Sequence, residues 1–243
     1  MDLKEEHLLG ERLAEHWYYV SKGRALEDFL KGIKVPEVLD IGAGSGFFSR
    51  WLLDADICQS AICVDPGYAE PICEEQHNNK KLTFTQSLSH VEQELILMMD
   101  VLEHVEDDVA LLRQYTQQMP SHGHVLITVP AFQSLWSGHD IFLDHYRRYN
   151  KHQLEQTIQD AGLKVLHTEY FFASLLPLVA LSRLWNRFRV QSGTLSEKSD
   201  LRIYPDLINS SLTLIHDIER KTLFPINRWG GLTIFSLAVP IDQ

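Results

Sequence analysis

The sequence is short of cysteine and of basic residues, and each shortage excludes a class of protein. Three cysteines in 243 residues, Cys58, Cys63 and Cys73, cannot form a disulfide framework, and their spacing matches no zinc site. The 22 Lys and Arg are outnumbered by 33 Asp and Glu, which gives a formal net charge of −11. Because broad binding to nucleic acid requires a basic face, we expect no nucleic-acid partner.

Long apolar segments are missing as well. The longest, residues 171–181, is interrupted by Ser174 and Pro177 and is too short to cross a bilayer. The first six residues are charged and lack the apolar core of a signal peptide. The chain is nevertheless 44% hydrophobic, with 11 Phe, 8 Tyr and 5 Trp, which is ample for a buried core. We therefore expect a cytoplasmic globular protein.

Short apolar runs alternate with helical patterns along the chain, which predicts an α/β domain with a largely parallel sheet covered on both faces. The predicted strands are 38–41, 61–65, 82–84, 95–98, 125–129, 163–170 and 232–239. A helix with a break near Ser21–Gly23 is expected before them. We divide a single domain, residues 1–243, into an N-terminal helical lead (1–35), a core (36–172), a helical insertion (173–230) and a last strand (231–243).

A glycine-rich loop follows the first strand. Residues 40–46 read Asp-Ile-Gly-Ala-Gly-Ser-Gly, and glycines at a strand end let a ligand approach the backbone and the following helix N-terminus. Asp65 ends the next strand, where an acid can accept hydrogen bonds from ribose hydroxyls. The two features together favour a nucleoside cofactor over a plain turn. A dinucleotide loop needs a small residue at position 47, so Phe47 disfavours NAD and leaves an NAD-dependent oxidoreductase as the weaker alternative.

Residues 40–46 resemble motif I of the class I S-adenosylmethionine-dependent methyltransferases, and Asp65 matches their motif II acid. Residues 97–105, Leu-Met-Met-Asp-Val-Leu-Glu-His-Val, resemble motif IV of the branch that includes the ubiquinone-pathway enzymes. The resemblance covers about residues 36–172. It implies a Rossmann-like seven-stranded mixed sheet of order 3-2-1-4-5-7-6, with S-adenosylmethionine as cofactor and S-adenosylhomocysteine as product. The long segment before the last strand departs from the family, which usually has a short hairpin there.

The resemblance also implies which residues contact the cofactor. The three glycines would pass under its methionine part, Asp40 would face its ammonium group, and Asp65 would face the ribose. From the lead helix, Tyr18 or Trp17 would meet the sulfonium by cation–π attraction, or dock the helix onto the sheet instead. The complete predicted set is Asp40, Gly42, Ala43, Gly44, Gly46, Asp65, Pro66, Gln86, Ser87, Met99, Asp100, Val101, His104, Tyr18 and Arg24.

A polar loop, residues 136–149, follows the strand that ends at Pro130 and is expected to face the crevice. Three residues are catalytic candidates: His139 or His145 would accept the acceptor's proton, and Asp140 would orient an imidazole or act as the base. The predicted substrate-binding residues are Trp17, Trp136, Tyr146, Arg147, Arg148 and Tyr149. Two alternatives stay open: that these histidines are bystanders and methyl transfer proceeds by positioning alone, and that His139, Asp140 and His145 ligate a metal. We expect no metal, because further carboxylates at fixed spacing are missing.

Residues 171–189 form an apolar segment that leads into Arg183, Trp185, Arg187 and Arg189. This pattern suits a weak contact with a membrane interface, and it equally suits a buried helix that covers the crevice. We expect S-adenosylmethionine-dependent methyl transfer to a small-molecule or lipid-linked acceptor, more at oxygen than at nitrogen. A regulatory protein of the same fold without catalytic activity is the alternative from another class.

Overall fold

The computed structural model describes residues 8–189 and 199–241. Residues 1–7 of the predicted N-terminal lead and residues 190–198 of the predicted helical insertion lie outside these ranges. The side chains of Trp185, Arg187 and Arg189, which entered the membrane hypothesis, are also outside the described part of the chain.

One mixed sheet forms the centre of the described structure. Its eight strands are β1 (Glu37–Ile41), β2 (Ser60–Val64), β3 (Ile72–His77), β4 (Lys80–Thr85), β5 (Leu95–Met99), β6 (His124–Pro130), β7 (Leu163–Phe171) and β8 (Thr233–Pro240). They are ordered β3-β4-β2-β1-β5-β6-β8-β7. The five strands from β4 to β6 are parallel, and β3, β8 and β7 are antiparallel to their neighbours. Without β3 the order is the predicted 3-2-1-4-5-7-6, so the fold class is confirmed.

The predicted strand number of seven is wrong, because β3 adds an eighth strand at the sheet edge. Its sequence, Ile-Cys-Glu-Glu-Gln-His, is polar, and five of its six residues are exposed. Strand β3 forms by antiparallel pairing with β4 along its whole length. An edge strand with charged side chains has no apolar alternation from which a sequence pattern could predict it.

Seven α-helices in the described ranges flank the sheet: α1 (Trp17–Phe29), α2 (Phe47–Asp54), α3 (Asp108–Thr116), α4 (Gly138–Phe142), α5 (Lys151–Asp160), α6 (Leu176–Arg189) and α7 (Asp206–Thr222). Apolar side chains are packed in two clusters. Helix α1 is continuous, so the predicted break near Ser21–Gly23 is wrong. A Cβ atom at Gly23 would lie 2.6 Å from the Trp51 ring, so this glycine permits close packing of α1 on α2.

The insertion between β7 and β8 folds back over the N-terminal helix. Strands β7 and β8 pair at Phe171 and Thr233, so the insertion leaves and re-enters the sheet at one end. The Glu219 carboxylate of α7 accepts backbone hydrogen bonds from Ala173 (2.6 Å) and Ser174 (3.0 Å), which fixes the start of the insertion. None of the helices in the described ranges combines the length with the apolar composition that crossing a bilayer requires.

Candidate functional site

The glycine loop between β1 and α2 has a backbone conformation that other residues adopt only with strain. Gly42, Gly44 and Gly46 have φ angles of +64°, +55° and +72°. A Cβ atom at Gly46 would lie 3.0 Å from the Phe84 ring, and one at Gly42 would lie 2.8 Å from the Val101 side chain. The loop therefore requires glycine both for its backbone angles and for its packing against neighbouring strands.

Asp65 lies against this loop, and its predicted contact with the cofactor ribose stays a prediction. Its carboxylate accepts hydrogen bonds from the Gly44 amide (3.2 Å) and the Gly67 amide (2.8 Å). The Tyr68 hydroxyl donates to the Gly44 carbonyl (2.7 Å), and Gln86 donates to the Tyr68 carbonyl (2.7 Å). Tyr68 is a further candidate for the nucleoside side of the site, and no motif indicated it. Pro66 and Ser87 are exposed in the turns that follow β2 and β4 at the same edge.

Three predicted cofactor residues lie beneath this surface. Asp40, Ala43 and Met99 are all buried. Burial raises the pKa of Asp40 to about 6, although the Ser49 hydroxyl donates to its carboxylate (2.8 Å). The second carboxylate oxygen of Asp40 has no hydrogen-bond partner among the described residues. Its predicted contact with the cofactor ammonium stays a prediction.

Asp100 and Lys22 form a buried ion pair in the middle of the crevice. Asp100 has a φ angle of +56°, and the Thr128 hydroxyl donates to its carboxylate (3.0 Å). Burial alone would raise the pKa of Asp100, but the Lys22 ammonium holds that pKa below its usual range. Lys22 is 0% exposed and was missed by the sequence analysis. The sequence held one indication that Lys22 is buried: it lies four residues after Tyr18 and four before Leu26, on the same face of a helix.

A cavity of about 460 Å³ opens beside this ion pair, at the carboxyl ends of β5 and β6. Its size is typical of a small-molecule site. The charged and imidazole groups that line the cavity are Asp100, Glu103, His104, His139, His145 and Arg148, together with Arg183 and Asp200 of the insertion. Apolar side chains line much of the rest, including Leu175, Leu178 and Val179 at the start of the insertion, Leu201 and Leu212 further along it, and Leu232.

Trp17 and Tyr18 also line the cavity. Trp17 stacks on His216 of α7 with ring centroids 5.1 Å apart, and Tyr18 stacks on Phe172 at 5.3 Å. The Tyr18 hydroxyl lies 3.4 Å from the Asp100 carboxylate. These rings therefore dock the N-terminal helix, and the same rings form part of the cavity wall.

Asp140 anchors the polar side of the cavity from behind. The Arg148 guanidinium donates to both of its carboxylate oxygens (2.6 and 3.1 Å), and the Ser137 amide donates at 2.8 Å. Burial alone would raise the pKa of Asp140, but hydrogen bonds from His145 and Arg148 hold it well below its usual range. Asp140 is not among the described residues that line the cavity, so its hydrogen bonds orient its neighbours.

The hydrogen-bond network assigns different roles to the two histidines. His145 Nδ1 lies 3.0 Å from the ionised Asp140 carboxylate, which can only accept, so Nδ1 carries a proton and the neutral form of this ring would have its lone pair on Nε2. His139 Nδ1 accepts a hydrogen bond from the Asp200 amide (3.1 Å), so the neutral His139 ring carries its proton on Nε2. Burial lowers the pKa of His139, which favours this neutral form. His145 therefore has the arrangement of a proton acceptor, and His139 has that of a donor.

Glu103 is another residue to which the sequence analysis gave no role. It is 0% exposed and lines the cavity, and neither carboxylate oxygen has a hydrogen-bond partner in the described ranges. Burial, and then the neighbouring Asp100 charge, raise the pKa of Glu103 well above its ordinary value. Its neighbour His104 packs edge-on against His145, with ring centroids 4.6 Å apart.

Four of the six predicted substrate-binding residues, and Arg24 of the predicted cofactor set, are not among the described residues that line the cavity. Tyr149 is buried and donates to Asp108 (2.7 Å), and Arg147 pairs with the same carboxylate (3.2 Å). This corrects their assignment to substrate binding, since both hold the loop to α3. Arg24 pairs with Asp217 of α7 and so fastens the insertion. Tyr146 is 58% exposed, and Trp136 lies off the cavity wall.

Comparisons with known proteins show the family and the fold of the chain. The model of a family described as "Methyltransferase domain" matches residues 13–168. No curated protein matches the sequence. A solved SAM-dependent methyltransferase from Archaeoglobus fulgidus is 19% identical, with 98% of each chain covered and a TM-score of 0.53.

Two other solved structures share the fold. A putative methyltransferase solved in complex with the Haloferax volcanii Trm112 activator is 15% identical, with 95% of this chain and 92% of that chain covered and a TM-score of 0.53. The [4+2]-cyclase SpnF is 11% identical, with coverages of 91% and 80% and a TM-score of 0.55. At these identities the structures show the fold alone.

The family match covers more than half of the chain, and the glycine loop, Asp65 and the sheet order agree with it. The chain therefore belongs to the methyltransferase domain family, as an enzyme that uses S-adenosylmethionine as its cofactor.

Proposed function

We propose that the protein methylates an oxygen atom of an amphipathic acceptor, either a small molecule or a lipid-linked one. The observation that carries this proposal is His145, which lines the cavity and is hydrogen-bonded to the Asp140 carboxylate behind it. An oxygen acceptor loses a proton when it is methylated, and a neutral imidazole with a free lone pair can receive that proton near pH 7.

The cofactor site is proposed at the edge formed by the glycine loop, Asp65 and Gln86. Asp65 would hold the ribose, and the three glycines leave room beside the backbone. The bound cofactor supplies an activated methyl group on a sulfonium. The chain's part is to position that group beside Asp100, close to the cavity, and to exclude water with α1.

The polarity of the cavity supports an amphipathic acceptor. The polar side chains that line it can hydrogen-bond a reacting oxygen, and the apolar side chains can bury the hydrocarbon part of the acceptor. Leu178, which lines the cavity, is 65% exposed, and Leu181 and Leu184 continue this apolar surface along α6 with 64% and 50% exposure. A hydrocarbon chain that leaves the cavity along α6 would cover these side chains.

Labelled S-adenosylmethionine, incubated with pools of hydroxylated small molecules and polyprenyl-linked compounds, tests the proposal. We expect label transfer to an oxygen, and His145→Ala should lower turnover by about 100-fold while S-adenosylhomocysteine affinity stays within about threefold. The matched control is His90→Ala, since His90 is an exposed histidine beside Glu92. Label transfer to nitrogen only, or full turnover in His145→Ala, contradicts the proposal.

Flotation with anionic liposomes tests the lipid-linked form separately. We expect the protein to be retained on the vesicles, and Leu181→Ser with Leu184→Ser to weaken retention. No retention of the wild-type chain would limit the acceptor to small molecules that enter the cavity.

A further inference from the structure

We propose that Glu103, His104 and His145 bind one divalent transition-metal cation on the acceptor side of the crevice. One ligand atom from each residue lies within 4.8 Å of the other two. All three residues line the cavity. As a cation site the proposal stands alone; its role in activating the acceptor rests on the proposed oxygen methylation.

Glu103 provides the first argument. A buried side-chain carboxyl group is normally hydrogen-bonded, ion-paired or bound to a metal, because its oxygens otherwise lose the water partners that they have in solvent. Glu103 is 0% exposed, and both of its oxygens lack a partner in the described ranges. Lys22, the buried cation of the crevice, is paired with Asp100 instead. A cation in the cavity would give Glu103 the partner that the described side chains do not.

His145 provides the second, independent argument. Metal-bound histidines commonly donate their other ring N–H to a carboxylate, which sets the tautomer and aims the ligand nitrogen. His145 donates from Nδ1 to Asp140, and Arg148 holds Asp140 in place with two hydrogen bonds. The Nε2 atom of His145 is therefore oriented in advance by a rigid outer layer of side chains.

The spacing of the three groups is close to that of a bound set. Ligand atoms at about 2.0–2.2 Å from one cation lie about 3–4 Å apart, and the present atoms lie within 4.8 Å of one another, so binding would close their separations by about 2 Å at most. Small rotations of the side-chain torsions supply that movement. Two imidazoles and one carboxylate suit zinc, cobalt, manganese or iron, whereas magnesium and calcium prefer oxygen ligands only. Three protein ligands leave a coordination position for the acceptor.

A cation at this site would activate an acceptor hydroxyl. Coordination would lower the pKa of the hydroxyl group, so that its O–H bond breaks and the proton passes to solvent. The electron pair left on oxygen forms the new bond to the methyl carbon, while the methyl–sulfur bond breaks and its pair stays on sulfur. With a cation bound, His145 acts as a ligand and no longer takes the proton itself.

Titration of the chelator-treated full chain with Co²⁺, followed by visible absorption, tests the site. We expect one Co²⁺ per chain, displaced by Zn²⁺. Glu103→Gln and His145→Gln should each weaken Co²⁺ binding by at least ~10-fold, the loss typical even of outer partners of a metal site. The exposed His90→Gln should bind Co²⁺ like the wild type. Because Glu103→Gln is nearly isosteric, its calorimetric affinity for S-adenosylhomocysteine should be unchanged.

Two results would overturn the site: no Co²⁺ absorption in the wild type, or equal Co²⁺ affinity in all variants. The site and the proposed function fail separately. Label transfer to an oxygen that is unaffected by chelator overturns the metal's catalytic role and leaves oxygen methylation standing. Stoichiometric Co²⁺ binding that depends on Glu103, without label transfer to any hydroxylated acceptor, supports the site and contradicts oxygen methylation.

Discussion

Replacing Lys22 by Met should destabilise the protein by leaving the Asp100 carboxylate without its cation. Removing one partner of a fully buried ion pair typically costs about 3–5 kcal/mol. The Asp100 side chain is 26% exposed, so water can solvate it partly, and we expect the lower figure of about 2–4 kcal/mol. For a chain of this length, each kcal/mol lowers the unfolding midpoint by about 2–4 °C.

A double-mutant cycle separates the ion pair from packing effects. In Lys22→Met/Asp100→Asn the uncompensated charge is removed, so most of the lost stability should return, with a coupling energy of about 1–3 kcal/mol. Thermal unfolding followed by circular dichroism at pH 7.5 measures all four proteins. Lys81→Met is the matched control, because Lys81 is half exposed and its surface pair with Glu74 should contribute little.

The result that would refute this reasoning is a Lys22→Met protein as stable as Lys81→Met. A double mutant no more stable than Lys22→Met would also refute it, since the loss would then come from the missing lysine side chain and not from the unpaired carboxylate.

Three further changes test the cofactor side of the crevice. Gly46→Val should lower S-adenosylhomocysteine affinity at least ~10-fold by calorimetry, because its φ angle is +72° and a Cβ atom would press on Phe84. Gly32→Ala, also at positive φ but with open space around it, is the control. Asp65→Ala should cost about 1–3 kcal/mol of cofactor binding, since the ribose hydroxyls lose their acceptor. In urea unfolding, the free energy of unfolding of Asp40→Asn should rise relative to that of the wild type as pH increases through about 6, by at most ~3 kcal/mol.

The sign of the Asp40 effect follows from its raised pKa. The folded protein holds the Asp40 proton more tightly than the unfolded chain, so the contribution of Asp40 to stability is full below its unfolded pKa and is lost as pH rises through the folded pKa. Parallel pH curves for Asp40→Asn and wild type would contradict the burial argument. Equal affinity in Gly46→Val and Gly32→Ala, or full affinity in Asp65→Ala, would contradict the proposed cofactor site.

Features encoded in neighbouring residues were predictable from the sequence. The glycine loop between a buried strand and a helix, and the acid at the end of the next strand, are examples. Both can be recognised from local spacing and from the alternation of strands and helices. The family resemblance then supplied the order of seven strands. The polar edge strand β3 was missed, because it is held by backbone pairing with β4 and has no apolar alternation of its own.

Only the tertiary structure determines which charged residues lie in the cavity. The sequence around Lys22 and Glu103 does not distinguish them from surface residues. They are buried because α1 and the turn after β5 meet at the carboxyl ends of the central strands. The tautomer of His139 depends on the Asp200 amide, 61 positions away in the chain. Burial and hydrogen bonding depend on which distant segments come together, and a local pattern of residue types carries no information about those partners.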